Sequence, residues 1–229
     1  MSKTILITGA TRGLGLETAR KLLDLGHNVV ITGRDGDKLD RLKRELEGRS
    51  GNLSTLHMDV TEDESVYDAS HEFRSLYSKL DVLINNAGIF VDSNDSTDVT
   101  VKTMKKTLET NLYGPLRVSQ AFLDLLYASD DGRIINISSG MGGFSEMMGG
   151  SAAYRISKTA LNSLTSVMSA DLNNAIKVVA LCPGWVQTDM GGSAAPRNID
   201  EGVAGIVNLA TREQLESGKF YRDGVEIPW

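Results

Sequence analysis

Short apolar, β-branched runs alternate along the chain with longer amphipathic stretches. The runs are Thr4 to Thr8, Asn28 to Thr32, Leu53 to Asp59, Val82 to Asn85, Arg133 to Ser138, Lys177 to Cys182 and a short one near Lys219 to Tyr221. Most are continuously apolar rather than alternating, the mark of strands covered on both faces. Between the first two runs, Leu14, Ala19, Leu22, Leu23 and Leu25 recur at helical spacing, and Gly26 is placed to end that helix as a left-handed cap. Residues 37–47, 62–79, roughly 98–128 and 152–173 supply further helices. This alternation predicts an α/β fold: a Rossmann-type, doubly wound parallel sheet of about seven strands. No repeat, low-complexity tract or linker interrupts it, so residues 1–229 read as a single domain. Residues 185–198, containing Gly191-Gly192-Ser193-Ala194-Ala195-Pro196, read as a mobile loop before a helix starting near Ile199. In a compact domain such a loop is more often functional than idle.

Composition narrows the class. The 229 residues suit one α/β domain whose core needs no staples. An apolar fraction of 41% and a charged fraction of 24% are ordinary for a globular chain and speak against disorder. Lys+Arg 24 against Asp+Glu 30 leaves −6, which speaks against nucleic acid or an anionic membrane as a partner. Cys182 is the single cysteine, so an internal disulfide and a Cys-based metal cluster are both excluded, and it reads as a small buried apolar residue. His27, His57 and His71 lack metal-ligand spacing, and no metal is expected. The segment ahead of Thr4 is too poor in apolar residues for a signal peptide, and no stretch nears the roughly 18 apolar residues of a membrane span. Asn136, in one of three N-x-S/T patterns, falls inside an apolar run and is expected to be buried, so a cytoplasmic, unglycosylated protein is expected. Glycine is unusually frequent, 23 against 4 prolines, which suggests points of close backbone approach to a ligand.

The first such cluster directly follows the first run. In Thr8-Gly9-Ala10-Thr11-Arg12-Gly13-Leu14-Gly15, glycines at 9, 13 and 15 allow a tight turn and a close approach of backbone to a pyrophosphate at the next helix N-terminus. The spacing G-x-x-x-G-x-G is neither the usual dinucleotide fingerprint nor a P-loop. The second run ends Thr32-Gly33-Arg34, with no carboxylate at the position that would bind a ribose 2′-hydroxyl. Arg34, with Arg12 directed toward the same region and Gly33 leaving room, favours a 2′-phosphate and hence NADP(H). Asp35 either pairs with Arg34 or crowds that phosphate.

A second group of residues carries acid–base potential. Tyr154 and Lys158 stand four positions apart, on one face of a helix. A phenol titrates near pH 10 and a neighbouring ammonium lowers that value, which suits proton transfer near neutrality. Asn136-Ile137-Ser138-Ser139, Asn85-Asn86-Ala87-Gly88, Asp59-Val60 and Cys182-Pro183-Gly184 end the fifth, fourth, third and sixth runs, at the sheet edge where ligands bind. Asn111 interrupts a helical segment that asparagine does not favour.

Together these segments resemble the classical short-chain dehydrogenase/reductase family. Thr8 to Gly15, Asp59-Val60, Asn85 to Gly88, Asn111, Ser139, Tyr154, Lys158, Pro183-Gly184 and Thr188 match its signatures in its order, and the tail Lys219 to Trp229 resembles the carbonyl-reductase-like branch. The resemblance implies an NADP(H)-dependent oxidoreductase acting on aldehyde and ketone carbonyls or secondary alcohols. It implies Tyr154 as general acid or base, Lys158 lowering the phenol and holding the nicotinamide ribose, Ser139 polarising the substrate carbonyl, and Asn111 positioning a water. The implied cofactor contacts are Gly9, Thr11, Arg12, Gly13, Leu14, Gly15, Arg34, Asp59, Val60, Asn86, Ala87, Gly88, Tyr154, Lys158, Pro183, Gly184, Val186 and Thr188. Asp59 falls near the adenine, and Thr188 on the carboxamide. Ser138 competes with Ser139 for its role, and Arg155 is a candidate interface residue. A homodimer or homotetramer is implied, through helices near residues 100–128 and 152–173.

Met141, Phe144, Met147 and Met148, with Phe90, Trp185 and Met190 across the cleft, suggest an apolar, permissive pocket for a small carbonyl or alcohol substrate. Core filling or subunit contact is the competing reading for each methionine. A 3-oxoacyl reductase of lipid synthesis and a non-catalytic NADP(H)-sensing regulator are the alternative functions; no basic patch for an acyl carrier favours the former, and the intact Tyr154 and Lys158 argue against the latter.

Overall fold

A computed structural model describes residues 2–91 and 93–229. The runs become strands: β1 (Thr4–Ile7), β2 (Asn28–Gly33), β3 (Asn52–His57), β4 (Val82–Asn85), β5 (Arg133–Ile137), β6 (Lys177–Leu181) and β7 (Lys219–Arg222). An eighth, β8 (Val225–Ile227), forms a hairpin with β7 and adds one strand to the expected seven. The eight make one sheet in the order β3-β2-β1-β4-β5-β6-β7-β8, parallel except for β8. Exposure of Val225 and Glu226 fits an edge strand and explains why the tail carries no continuous apolar run.

Successive residues of each strand go to opposite faces. Ile5, Ile7, Val29 and Ile31 pack on one side with α1 (Gly13–Asp24), α2 (Gly36–Glu45) and a helix at Ile199–Thr211. Leu6, Val30, Leu83 and Ile134 pack on the other with α3 (Asp63–Leu76) and the helices after β4. Both faces are therefore buried, which is why the strands are apolar throughout. Helix α1 ends as expected: Gly26, at φ +82°, lets its own N–H reach Leu23 O and that of His27 reach Leu22 O.

The long helical stretch is broken. It comprises α4 (Val101–Leu108), a π turn over Glu109–Tyr113, α5 (Gly114–Ala121) and α6 (Leu123–Tyr127). The wide turn holds Asn111, whose side chain bonds to partners outside the helix. Then come α7 (Ala152–Asp171) and α8 (Ile199–Thr211). Residues 185–198 form a loop folded upon itself: Gln187 N–H donates to Arg197 O at 2.9 Å, Arg197 N–H to Trp185 O at 3.2 Å, and Trp185 Nε1 to Gly191 O at 2.8 Å. Asn136 is buried in β5. No helix among the described residues is long and apolar enough to cross a membrane.

Candidate active site

A cleft of about 1190 Å³ opens at the carboxyl ends of the strands, where strand order reverses between β1 and β4. At one end lies the glycine turn. Gly9, at φ +61°, passes so close to Ala87 that a Cβ would sit 2.9 Å from the Ala87 Cα. Thr8 Oγ1 accepts the N–H groups of Asn86 and Ala87, both at 3.0 Å, and Asn86 Nδ2 donates to Thr8 O and Gly9 O. The β1 turn and the β4 end are thus bonded into one edge. Gly15 does not line the cleft. It lies beneath, where a Cβ would stand 2.5 Å from Asn86 Nδ2 and 2.9 Å from Ala10 Cα.

Beyond the turn, Arg34 and Asp59 line the cleft as a loose pair at 3.5 Å, Arg34 being largely exposed. Burial works against ionisation of Asp59, but hydrogen bonds from the Thr61 N–H and hydroxyl, together with Arg34, outweigh it and hold the carboxyl below its usual range. Arg34 pairs with Asp59 rather than Asp35, whose side chain caps α2, accepting from Lys38 N–H at 3.0 Å. The space beside Gly33 is taken by Thr11 Cγ2. Arg12 turns from Arg34 to Asp189, 2.8 Å away in the 185–198 loop, because that loop overhangs the glycine turn.

At the other end, α7 brings Tyr154 and Lys158 into the cleft against β5. Lys158 is buried and donates to Ile137 O at 2.7 Å; its Nζ lies 5.7 Å from the centroid of the Tyr154 ring. Ser139 is hydrogen-bonded to the Tyr154 phenol, whereas Ser138 is buried and donates to Asn162 Oδ1 at 2.6 Å. Of the two serines, Ser139 is the one that faces the tyrosine. Burial pushes the phenol up to about 12, against the Ser139 hydrogen bond, and pushes the Lys158 ammonium down to about 8. Desolvation therefore dominates the phenol, in place of the expected lowering by the ammonium.

Asn111 stands behind this pair rather than in the cleft wall. Its Oδ1 accepts the Ile89 N–H at 2.8 Å, and its Nδ2 donates to Ile89 O and Ser157 Oγ. A Cβ on Gly88 would meet Asn111 Oδ1 at 3.4 Å and Lys158 Nζ at 3.6 Å, so the three converge. A π turn at such a point is a frequent companion of functional sites.

Gly13, Leu14, Val60, Asn86, Ala87, Gly88, Pro183, Gly184, Val186 and Thr188 also line the cleft. So do Phe90, Met141, Trp185 and Met190. Phe144, Met147 and Met148 do not: they lie in and beside a 3₁₀ turn that buries no residue, with Phe144 and Met148 75% and 72% exposed. Arg155 donates to Gly150 O and Glu146 O, tying this segment to α7. The charged lining residues Glu146, Asp189, Arg197 and Arg222 escaped the sequence reading, since no spacing rule links positions so far apart.

A doubly wound sheet with a glycine turn at its switch point and a Tyr–Lys pair in the same cleft defines an oxidoreductase of the nucleotide-binding class. The sequence model for short chain dehydrogenase matches residues 3–198, and the chain belongs to that family. It is 33% identical to the short-chain dehydrogenase anuI of Penicillium roqueforti, over 98% of this chain and 97% of the relative. Among solved structures, the carbonyl reductase Sniffer of D. melanogaster superposes with a TM-score of 0.91 at 32% identity, covering 100% of both chains. The NADPH-bound carbonyl reductase from chicken fatty liver gives 0.90 at 34% identity, covering 100% of this chain and 94% of the other.

Proposed function

We propose that this chain is an NADP(H)-dependent reductase of aldehyde and ketone carbonyls, working in reverse on secondary alcohols, with Tyr154 as the proton donor and acceptor. The observation that carries this reading is the placement of the Tyr154 phenol, beside Ser139 and Lys158, in the same cleft as the glycine turn. The cleft residues fit a dinucleotide: the turn carrying Gly9 and Gly13 lines the cleft where a pyrophosphate would lie, and exposed Arg34 leaves its loose pair with Asp59 at little cost. Pro183, Gly184, Val186 and Thr188 would hold the nicotinamide end, and Asp59, Val60, Asn86, Ala87 and Gly88 the adenosine side. A bound nicotinamide supplies the hydride.

The proton comes from the chain. With its phenol near 12, Tyr154 is protonated at neutral pH and is ready to give that proton to a substrate oxygen. Ser139 donates to the same oxygen and polarises the carbonyl. The Lys158 ammonium, close to the ring, stabilises the phenolate left behind. Asn111, anchored on Ile89, positions a water that returns a proton through Lys158. Phe90, Met141, Trp185 and Met190 provide the apolar bed for a small substrate.

Exposed Val101, Tyr113, Ile156 and Val167, on or beside α4 and on α7, support assembly into a homodimer or homotetramer through those helices. The enzymatic reading is tested by NADPH oxidation with a panel of aldehydes and ketones: turnover on several apolar carbonyls supports it, and its absence on all of them refutes it.

A further inference from the structure

The wall of the cleft beyond Ser139 carries an ion pair that the reading above does not use. Arg222, the last residue of β7, meets Glu146 of the 3₁₀ turn through two contacts, Nη1 to Oε1 at 2.9 Å and Nη2 to Oε2 at 2.9 Å. Both residues line the cleft. A Cβ on Gly140 would collide with Arg222 Nη2 and Glu146 Oε2, so the pair lies directly against the backbone that carries Ser139.

The two halves are held very differently. Arg222 sits at the end of a strand bonded to β6 on one side and β8 on the other, with Phe220 and Tyr221 buried beside it. Its Nε donates to Cys182 Sγ at 3.4 Å. Glu146 belongs to a turn with no buried residue, set between glycines at 142–143 and 149–150. Arg155 ties this turn to α7 through the backbone oxygens of Glu146 and Gly150, so the half-exposed Glu146 side chain rotates without moving the turn. The pair is also partly solvated, with side-chain exposures of 29% and 48%, so its net contribution is small. A substrate carboxylate offers the guanidinium the same two-oxygen geometry as Glu146. Arg197, in the same wall, is committed elsewhere: it donates to Pro183 O at 3.0 Å and to Asp223 Oδ1 at 2.5 Å.

We propose that Arg222 is a specificity residue for a carboxylate on the substrate, with Glu146 as its resting partner, and that the preferred substrates are oxo acids. The carbonyl lies at Ser139 and Tyr154, the apolar body against Phe90 and Trp185, and the carboxylate on Arg222, while Glu146 swings into solvent. This proposal rests on the carbonyl-reductase reading above.

The test compares phenylpyruvate with its ethyl ester, at saturating NADPH, in the wild type, Glu146→Gln and Arg222→Gln. Freeing Arg222 from its carboxylate partner raises the acid-over-ester ratio of kcat/KM about tenfold in Glu146→Gln, and losing it lowers the ratio by about tenfold or more in Arg222→Gln, mainly through KM. A second readout needs no turnover: quenching of tryptophan fluorescence by phenylacetate, which binds more tightly to Glu146→Gln and loses its saturable phase in Arg222→Gln. Ratios equal in all three proteins, with the ester still reduced, overturn the proposal and leave the reductase reading standing. Arg222-dependent phenylacetate binding without reduction of any carbonyl overturns the reductase reading and leaves the carboxylate site standing.

Discussion

The Lys158 ammonium donates to the Ile137 carbonyl oxygen at 2.7 Å and lies 5.7 Å from the centroid of the Tyr154 ring. One backbone oxygen thus anchors a buried cation beside the phenol. Burying that cation costs stability, and the cost has a definite pH dependence.

Lys158 titrates near 8 in the folded protein against 10.5 in its ordinary state. Below pH 8 both folded and unfolded chains hold the proton, and the cost of burying the charge is fully present. Between pH 8 and 10.5 the folded chain sheds the proton first, so the cost fades as pH rises. Lys158→Met is therefore expected to be more stable than the wild type at pH 7, by up to about 3 kcal/mol, with a gain that shrinks above pH 8. Denaturant melts across that range check it; a gain that does not depend on pH contradicts the assignment.

Arg34→Glu replaces a guanidinium in the cofactor cleft with a like charge to the expected 2′-phosphate. The loss of a charge-assisted contact predicts a rise of roughly 10- to 100-fold in the KM for NADPH. The KM for NADH, which lacks that phosphate, moves far less. Equal changes for the two cofactors would remove Arg34 from phosphate recognition.

Two glycines near the cofactor cleft separate crowding from freedom. A Cβ at Gly15 would press on Asn86 Nδ2 at 2.5 Å, so Gly15→Ala is expected to cost about 1–3 kcal/mol and to weaken NADPH binding. Gly36, in the first turn of α2, has open space around it, and Gly36→Ala is expected to stabilise by about 0.5–1 kcal/mol. Thermal melts of the two variants, with and without NADPH, decide the matter; a Gly15→Ala protein as stable as the wild type would contradict the packing described for Gly15, and a destabilised Gly36→Ala the open space at Gly36.

Strand runs and the glycine turn were legible in the sequence because burial on both faces of a parallel sheet leaves an unbroken apolar record. The β7–β8 hairpin was half legible: β7 has a buried centre in Phe220 and Tyr221, but exposed β8 leaves no such trace. Asn111 stood out as a misfit in a helix, yet the π turn that seats it depends on bonds to Ile89 and Ser157, which lie 22 and 46 residues away. The apolar pocket was only partly legible. Met141 and Met190 reach the cleft while Met147 and Met148 do not, a distinction set by where the 3₁₀ turn faces rather than by residue type. The partners of Arg12 and Arg222 were not legible at all, since side-chain pairs across loops follow from tertiary placement alone.

In the proposed reaction the Tyr154 phenol moves the proton while the rest of the cleft binds. Tyr154→Phe removes one hydroxyl and keeps the ring contact with Phe90, whose centroid lies 5.0 Å away. NADPH binding by fluorescence titration, run beside carbonyl reduction on the same preparation, separates the two roles. The expected result is an NADPH Kd within about twofold of the wild type, with turnover lower by at least roughly 10²–10⁴-fold. Turnover retained at a comparable rate would contradict the assignment of Tyr154.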